Sequence, residues 1–139
     1  MLAWEQVEQP GASNRDDIED VTNYVAAVNH AFEDIHSPKG SPISMRLLND
    51  CHRLLMQGVR GASKQPGELR RSQNWIGGSR PGNAVFVPPP PECVADLLSD
   101  LERYIHADDD LAPLLRIALV HVQFETIHPY LDGNGRLGR

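Results

Sequence analysis

The last twelve residues, His128-Pro129-Tyr130-Leu131-Asp132-Gly133-Asn134-Gly135-Arg136-Leu137-Gly138-Arg139, gather several reactive side chains into one short run. His128 carries an imidazole whose ordinary pKa of about 6.5 leaves it largely neutral near pH 7, able to take a proton from an attacking hydroxyl. Asp132 offers a carboxylate to a hard cation. Gly133-Asn134-Gly135 supplies a permissive backbone whose successive N–H groups can form a concave anion nest. Arg136 and Arg139 stand three apart, so a helix beginning near Asn134 places both guanidinium groups on one face. Backbone donors and dipole at such a helix start favour phosphate. A base, a cation-binding acid and a polyphosphate cradle are the parts that phosphoryl or nucleotidyl transfer requires. The end of a preceding helix would push the His128 pKa up, while a cation on Asp132 and the two arginines would push it down.

Other candidates are weaker. His30, His36, His52 and His106 read as structural histidines, and His121, seven residues before His128, could be a metal ligand or an orienting neighbour and reads better as a packing or supporting residue. Asp108-Asp109-Asp110 reads better as an N-cap and dipole complement for the next helix than as a metal cluster.

These parts must be held by elements, and the hydrophobic pattern supplies them. From Asp17 to Ile35, apolar residues recur at three- and four-residue steps, which predicts an amphipathic helix capped by Asn14 or Asp16. The Gly40-Ser41-Pro42 break predicts a fresh N-cap with Pro42 at the first position of a second helix, striped by Ile43, Leu47, Cys51, Leu54 and Leu55. Between Gly58 and Pro91 the period disappears. Within that long loop, Trp75-Ile76 and Ala84-Val85-Phe86-Val87 are β-prone runs around a Gly77–Asn83 tip, which predicts a small hairpin. Pro88 to Pro91 read as a stiff strut into a third helix, about Glu92 to His106. A fourth helix, about Leu111 to Ile127, is apolar on more than one side and reads as the middle of a bundle. Pro129 disfavours helical geometry at His128, so this helix ends there and presents the imidazole at the rim of the core.

The bulk properties agree with one domain spanning 1–139. The chain has 139 residues and a net charge of -6, which argues against a sequence-independent grip on nucleic acid. Cys51 and Cys93 share no CxxC spacing and read as free thiols, which points to a reducing, cytoplasmic setting. Met1 to Pro10 lack a basic, then apolar, leader pattern, and no run is long enough to span a bilayer.

With its eight specified positions in twelve, the terminal run resembles the Fic (Fic/Doc) family of protein adenylyltransferases, whose motif reads H-x-F-x-(D/E)-G-N-G-R-x-x-R. The likeness extends through Phe124 to Pro129, Trp75-Ile76-Gly77 and Phe86 to Pro90, and so covers the chain from about Asn23 onward. The resemblance implies an all-α helical bundle with a small β-hairpin flap. It also implies ATP and Mg²⁺: His128 as general base, Asp132 as metal ligand, Gly133, Asn134 and Gly135 as anion hole, and Arg136 and Arg139 on the distal phosphates. The reaction it implies is transfer of AMP to a Ser, Thr or Tyr hydroxyl of a target protein, reversed in some relatives, with Trp75, Ile76 and Gly77 in the flap that holds the target. A homo-oligomer is compatible with it.

Three departures qualify these expectations. Tyr130 replaces the commoner Phe and needs a partner for its hydroxyl if buried. Gly135 conforms to the motif, where phosphotransferase relatives carry Lys in the glycine run, and this favours nucleotidyl transfer. The chain reads as truncated at both ends: an (S/T)xxxE(G/N) inhibitory motif is absent and would lie shortly before Leu2, and the run stops at Arg139, where about four residues cannot sustain a helical turn by themselves. Weak ATP binding and slow adenylylation by this polypeptide are therefore expected. A non-catalytic module binding nucleotide or peptide is the alternative.

Overall fold

The computed structural model describes residues 14–38, 40, 42–58 and 63–139, the first three as backbone only. Its helices are α1 (Asn14–His36), α2 (Met45–Leu55), α3 (Val94–His106), α4 (Pro113–Ile127) and a single-turn α5 (Asn134–Leu137). The fold is all-α, and no described helix is long and apolar enough to cross a membrane. The proposed caps Asn14 and Asp16 and the leader region Met1 to Pro10 fall outside the described side chains.

Two small cores hold the bundle. Ala27 of α1 packs against Leu47, Cys51 and Leu55 of α2. Val94, Leu98 and Leu101 of α3 pack against Phe124 and Ile127 of α4 and Tyr130 beyond it. Leu137 of α5 touches both clusters, so the motif's last helical turn is wedged between them. Cys51 and Cys93 are free thiols, as their spacing predicts.

Helix α2 starts later than the Gly40-Ser41-Pro42 break predicts. Ser44 is its N-cap, in extended geometry, and its Oγ accepts from the Leu47 N–H. The Met45 N–H donates to Glu102 of α3, 2.8 Å away, which brings an acid to the positive end of the α2 dipole. Ser41 lies outside the described residues.

The acidic triad does not cap α4. That helix begins at Pro113, whose fixed φ suits a first helical position, and Ala112 is its N-cap without a side-chain bond. Asp109 instead accepts from the Leu111 N–H and faces Arg116 at 3.8 Å. Nor is α4 covered all round. Leu114, Leu115, Ile117, Leu119 and Val122 are exposed, because α3 packs against only one side of it.

The predicted hairpin is reduced to one antiparallel bridge, Ile76 to Phe86, with a 3-10 turn at Pro81–Asn83 and no strand among the described residues. Gly77 and Gly78 both have positive φ, which ends the extended backbone one residue past Ile76. The loop is nevertheless closed, because the Ile76 N–H donates to Phe86 O at 2.8 Å and Ile76 O accepts from the Val85 and Phe86 N–H groups. Pro90 is in polyproline geometry, in keeping with a strut that leads into the 3-10 turn Pro91–Cys93 and α3.

Candidate active site

Helix α4 ends at Ile127, and His128 turns left-handed, with φ 50° and ψ 63°. For a residue with a side chain that geometry costs about 1–2 kcal/mol. The buried residue Arg70 offsets it. Its Nε donates to His128 O at 2.8 Å, one Nη donates to Ile127 O at 3.3 Å, and its backbone N–H donates to Pro129 O at 2.9 Å. Bonds from a charged donor contribute about 1.5–3 kcal/mol each when well made, so the set outweighs the strain. Its positive charge also meets carbonyls that a helix end leaves without an intrahelical partner.

His128 is half-buried and its Nδ1 is sealed from solvent. Burial pushes its pKa below the ordinary imidazole value. The Arg70 charge acts in the same direction, while the Glu125 carbonyl and the Asp132 carboxylate pull it partly back. Burial thus decides between the opposing pushes expected from the sequence, and it favours the neutral imidazole.

From His128 the loop is held by its own side chains. The buried Asn134 amide accepts from the Tyr130 N–H and donates to Tyr130 O, each at 2.8 Å. The Asn134 side chain therefore fastens the loop, leaving its backbone N–H for an anion. Gly133, at φ 78°, is the N-cap of α5, so the N–H groups of Asn134, Gly135 and Arg136 stand at a helix start with no intrahelical partner. A Cβ on Gly133 would come within 2.6 Å of the Met56 sulfur and 3.2 Å of His52.

Asp132 has a half-exposed side chain whose Oδ1 accepts from the Gly133 N–H at 2.6 Å and lies 3.8 Å from Arg136. Among the described residues no group of three or more His, Cys, Asp or Glu gathers to hold a metal. One carboxylate fits Mg²⁺ all the same, since that ion takes one or two protein carboxylates and completes its shell with substrate phosphates and water. Arg136 is divided between Asp132 and Asp20 of α1, 3.1 Å away, and also touches the Met56 sulfur. Arg136 and Arg139 both line a hollow of about 370 Å³ beside α1 and α2. Another hollow, of about 400 Å³, is lined by Leu101, Ile117 and Phe124 and does not border His128. His121 bonds to Gly138 O at 2.9 Å, at the end of the motif and not at His128.

Several contributors escaped the sequence reading. His52, wholly buried, accepts the Gly67 N–H on Nδ1, which leaves the proton on Nε2 to be donated to Asp132 O at 2.9 Å. Its ring stacks on Tyr130, with centroids 3.8 Å apart. The Tyr130 hydroxyl donates to Asn49 at 2.9 Å, the partner that a buried Tyr in place of Phe demands. Asn74 donates to Tyr130 O. The one signal for His52 was its place on the buried stripe of α2, beside Cys51 and Leu55, where a polar residue needs partners.

The profile of the Fic/DOC family matches residues 42–139. The protein adenylyltransferase Fic of Drosophila erecta is 33% identical over 99 residues, covering 70% of this chain and 18% of the relative. Its counterpart in Drosophila yakuba is 39% identical over 75 residues, covering 52% of this chain and 14% of the relative. The chain thus spans less than a fifth of the length of these curated relatives. Among solved structures, Fic-1 of C. elegans superposes with a TM-score of 0.72 at 23% identity over 94% of this chain and 36% of that one. A Fic domain containing signaling protein from Bacteroides thetaiotaomicron gives a TM-score of 0.74 at 23% identity, over 94% of this chain and 48% of that one. These two likenesses are of fold. With the family profile matched over most of its length, motif included, the chain belongs to the Fic/DOC family.

Proposed function

We propose that this chain is the catalytic portion of a protein adenylyltransferase, which moves AMP from ATP to a hydroxyl of a target protein. The observation that carries this reading is the backbone of the motif. A left-handed His128 and a left-handed Gly133 bracket a loop that sets a neutral imidazole on one side and a helix start on the other. Named relatives carry the same activity in their description.

In this reading the N–H groups of Gly135 and its neighbours receive the nucleotide phosphates, with Arg136 and Arg139 on the distal ones. Phosphate at Arg136 replaces part of its pairing with Asp20. Asp132 would hold Mg²⁺, which supplies charge neutralisation at the phosphates. The target is a Ser, Thr or Tyr hydroxyl. Its oxygen bonds to the α-phosphorus, its proton passes to Nε2 of His128, and the bond from that phosphorus to the bridging oxygen breaks to release pyrophosphate. Since Ile76 pairs inward with Phe86, alternation along the extended backbone turns the N–H and C=O of Trp75 outward, before the left-handed turn at Gly77. An extended target segment could add there, fixed by its backbone while its side chains vary.

The test is transfer of labelled AMP to a protein acceptor, by this chain and by a version extended by a helix after Arg139. Replacing His128 by Ala should lower transfer by about 10²–10⁴-fold, the worth of a positioned base, with ATP binding retained. Nucleotide binding without any transfer by the wild-type chain, extended or not, would favour a binding module instead, and undiminished transfer in His128→Ala would remove His128 as the base.

A further inference from the structure

We propose that Arg70 is a positioning residue that fixes the target-holding loop relative to His128, so that a hydroxyl carried by the loop arrives within reach of the imidazole. The proposal rests on the reading of His128 as base and of the 75–87 loop as the target holder.

The observation is where the four side-chain bonds of Arg70 go. Two reach the legs of the loop: Ser72 O, ahead of it, at 3.2 Å, and Pro89 O, behind it, at 2.5 Å. The other two reach Ile127 O and His128 O at the end of α4. One planar group thus ties both legs and the base to a common frame, and Arg70 is only 2% exposed. Gln73 to Pro88 O ties the legs to each other and Asn74 to Tyr130 O ties one leg to the motif, but neither joins both legs to the end of α4 as Arg70 does.

A purely structural filler would not call for this residue. Burying a cation is costly, and an apolar side chain of similar volume would fill the space without that cost. What the guanidinium adds is a rigid fork of five donors, which sets the angles between its acceptors as well as their separation. A flexible lysine can reach some of the same carbonyls but does not fix their relative direction. None of the partners of Arg70 belongs to the 132–139 segment, so its loss should leave the phosphate end of the site alone.

The experiment compares the chain with Arg70→Met, Arg70→Lys and His128→Ala. Arg70→Met should lower kcat for AMP transfer by about 10²-fold, the scale of a one-ångström misplacement of reacting groups. KM for the target should rise while KM for ATP stays unchanged. Amide exchange at Ile76 and Phe86 should quicken at least about tenfold, because the loop legs are released. Arg70→Lys should recover part of the lost kcat, and it serves alone if the Met variant does not fold. His128→Ala should lose kcat and leave the exchange at Ile76 as it is. The proposal is overturned by wild-type kcat in Arg70→Met, or by a loss that only follows the fall in thermal midpoint, with unchanged exchange and no rescue by Lys. Full transfer in His128→Ala would sink the base assignment instead. Exchange at Ile76 and Phe86 does not depend on chemistry, and it would still decide whether Arg70 holds the loop.

Discussion

At the scale of single residues, Tyr130 tests how closely the site is matched to its own sequence. Its ring lies on His52 and its hydroxyl is held by Asn49. Burial pushes the phenol well above its ordinary pKa, so it remains a donor at any pH the protein meets. Replacing Tyr130 by Phe removes that donor and leaves the Asn49 amide oxygen without it, which should cost about 1 kcal/mol in chemical denaturation. Asn49→Leu made together with Tyr130→Phe should recover part of the loss, since removing both partners leaves nothing unsatisfied. The need for a partner was readable from Tyr130 alone. Its identity was not, because Asn49 lies 81 residues away in the chain and nothing local marks the pair.

At the scale of elements, the turn from α4 to α5 carries the site, and Gly133 is where it can least tolerate change. A side chain there meets a left-handed φ and the packed pair His52 and Met56. The sulfur can swing aside, but His52 is fixed by bonds on both ring nitrogens. Gly133→Ala should therefore cost about 1–3 kcal/mol, the range for backbone held in a disfavoured region, and lower ATP affinity with it. Thermal unfolding and ATP titration of the same variant check both. Gly82, with nothing near its Cβ, is the control and should tolerate Ala. Elements with a sustained stripe, such as α3 with Val94, Leu98 and Leu101, were legible because burial on one face imposes the period. The α2 start was misplaced, and the hairpin came out as a single bridge, because each outcome turned on one or two residues, Ser44 as the cap and Gly77-Gly78 as the breaker.

At the scale of the whole molecule, burial sets how stability follows pH. Burial lowers the pKa of both His52 and His128, so the unfolded chain binds more protons than the folded one once pH falls below the unfolded value of about 6.5. Stability contributed by these groups is present above that pH and is lost as pH falls from it toward the folded values. The thermal midpoint should drop between pH 7 and 5, and His52→Gln should make the drop shallower; a midpoint that rises on acidification would contradict the argument. The motif itself was legible because its parts are contiguous, from His128 to Arg139, whereas the frame that holds it, His52, Gly67 and Arg70, is assembled only by tertiary packing. One part of that assembly bears on the protein's chemical lifetime. Asn134 precedes Gly135, the pairing in which an asparagine side chain most readily cyclises onto the next backbone nitrogen and loses its amide. Here the amide is doubly engaged on Tyr130 and set in helical backbone, so that reaction is withheld while the loop stays folded. Conversion to a carboxylate would place an acceptor opposite Tyr130 O, where a donor stood, and unfasten the loop irreversibly. The rate at which the site ages is thus tied to how often it opens.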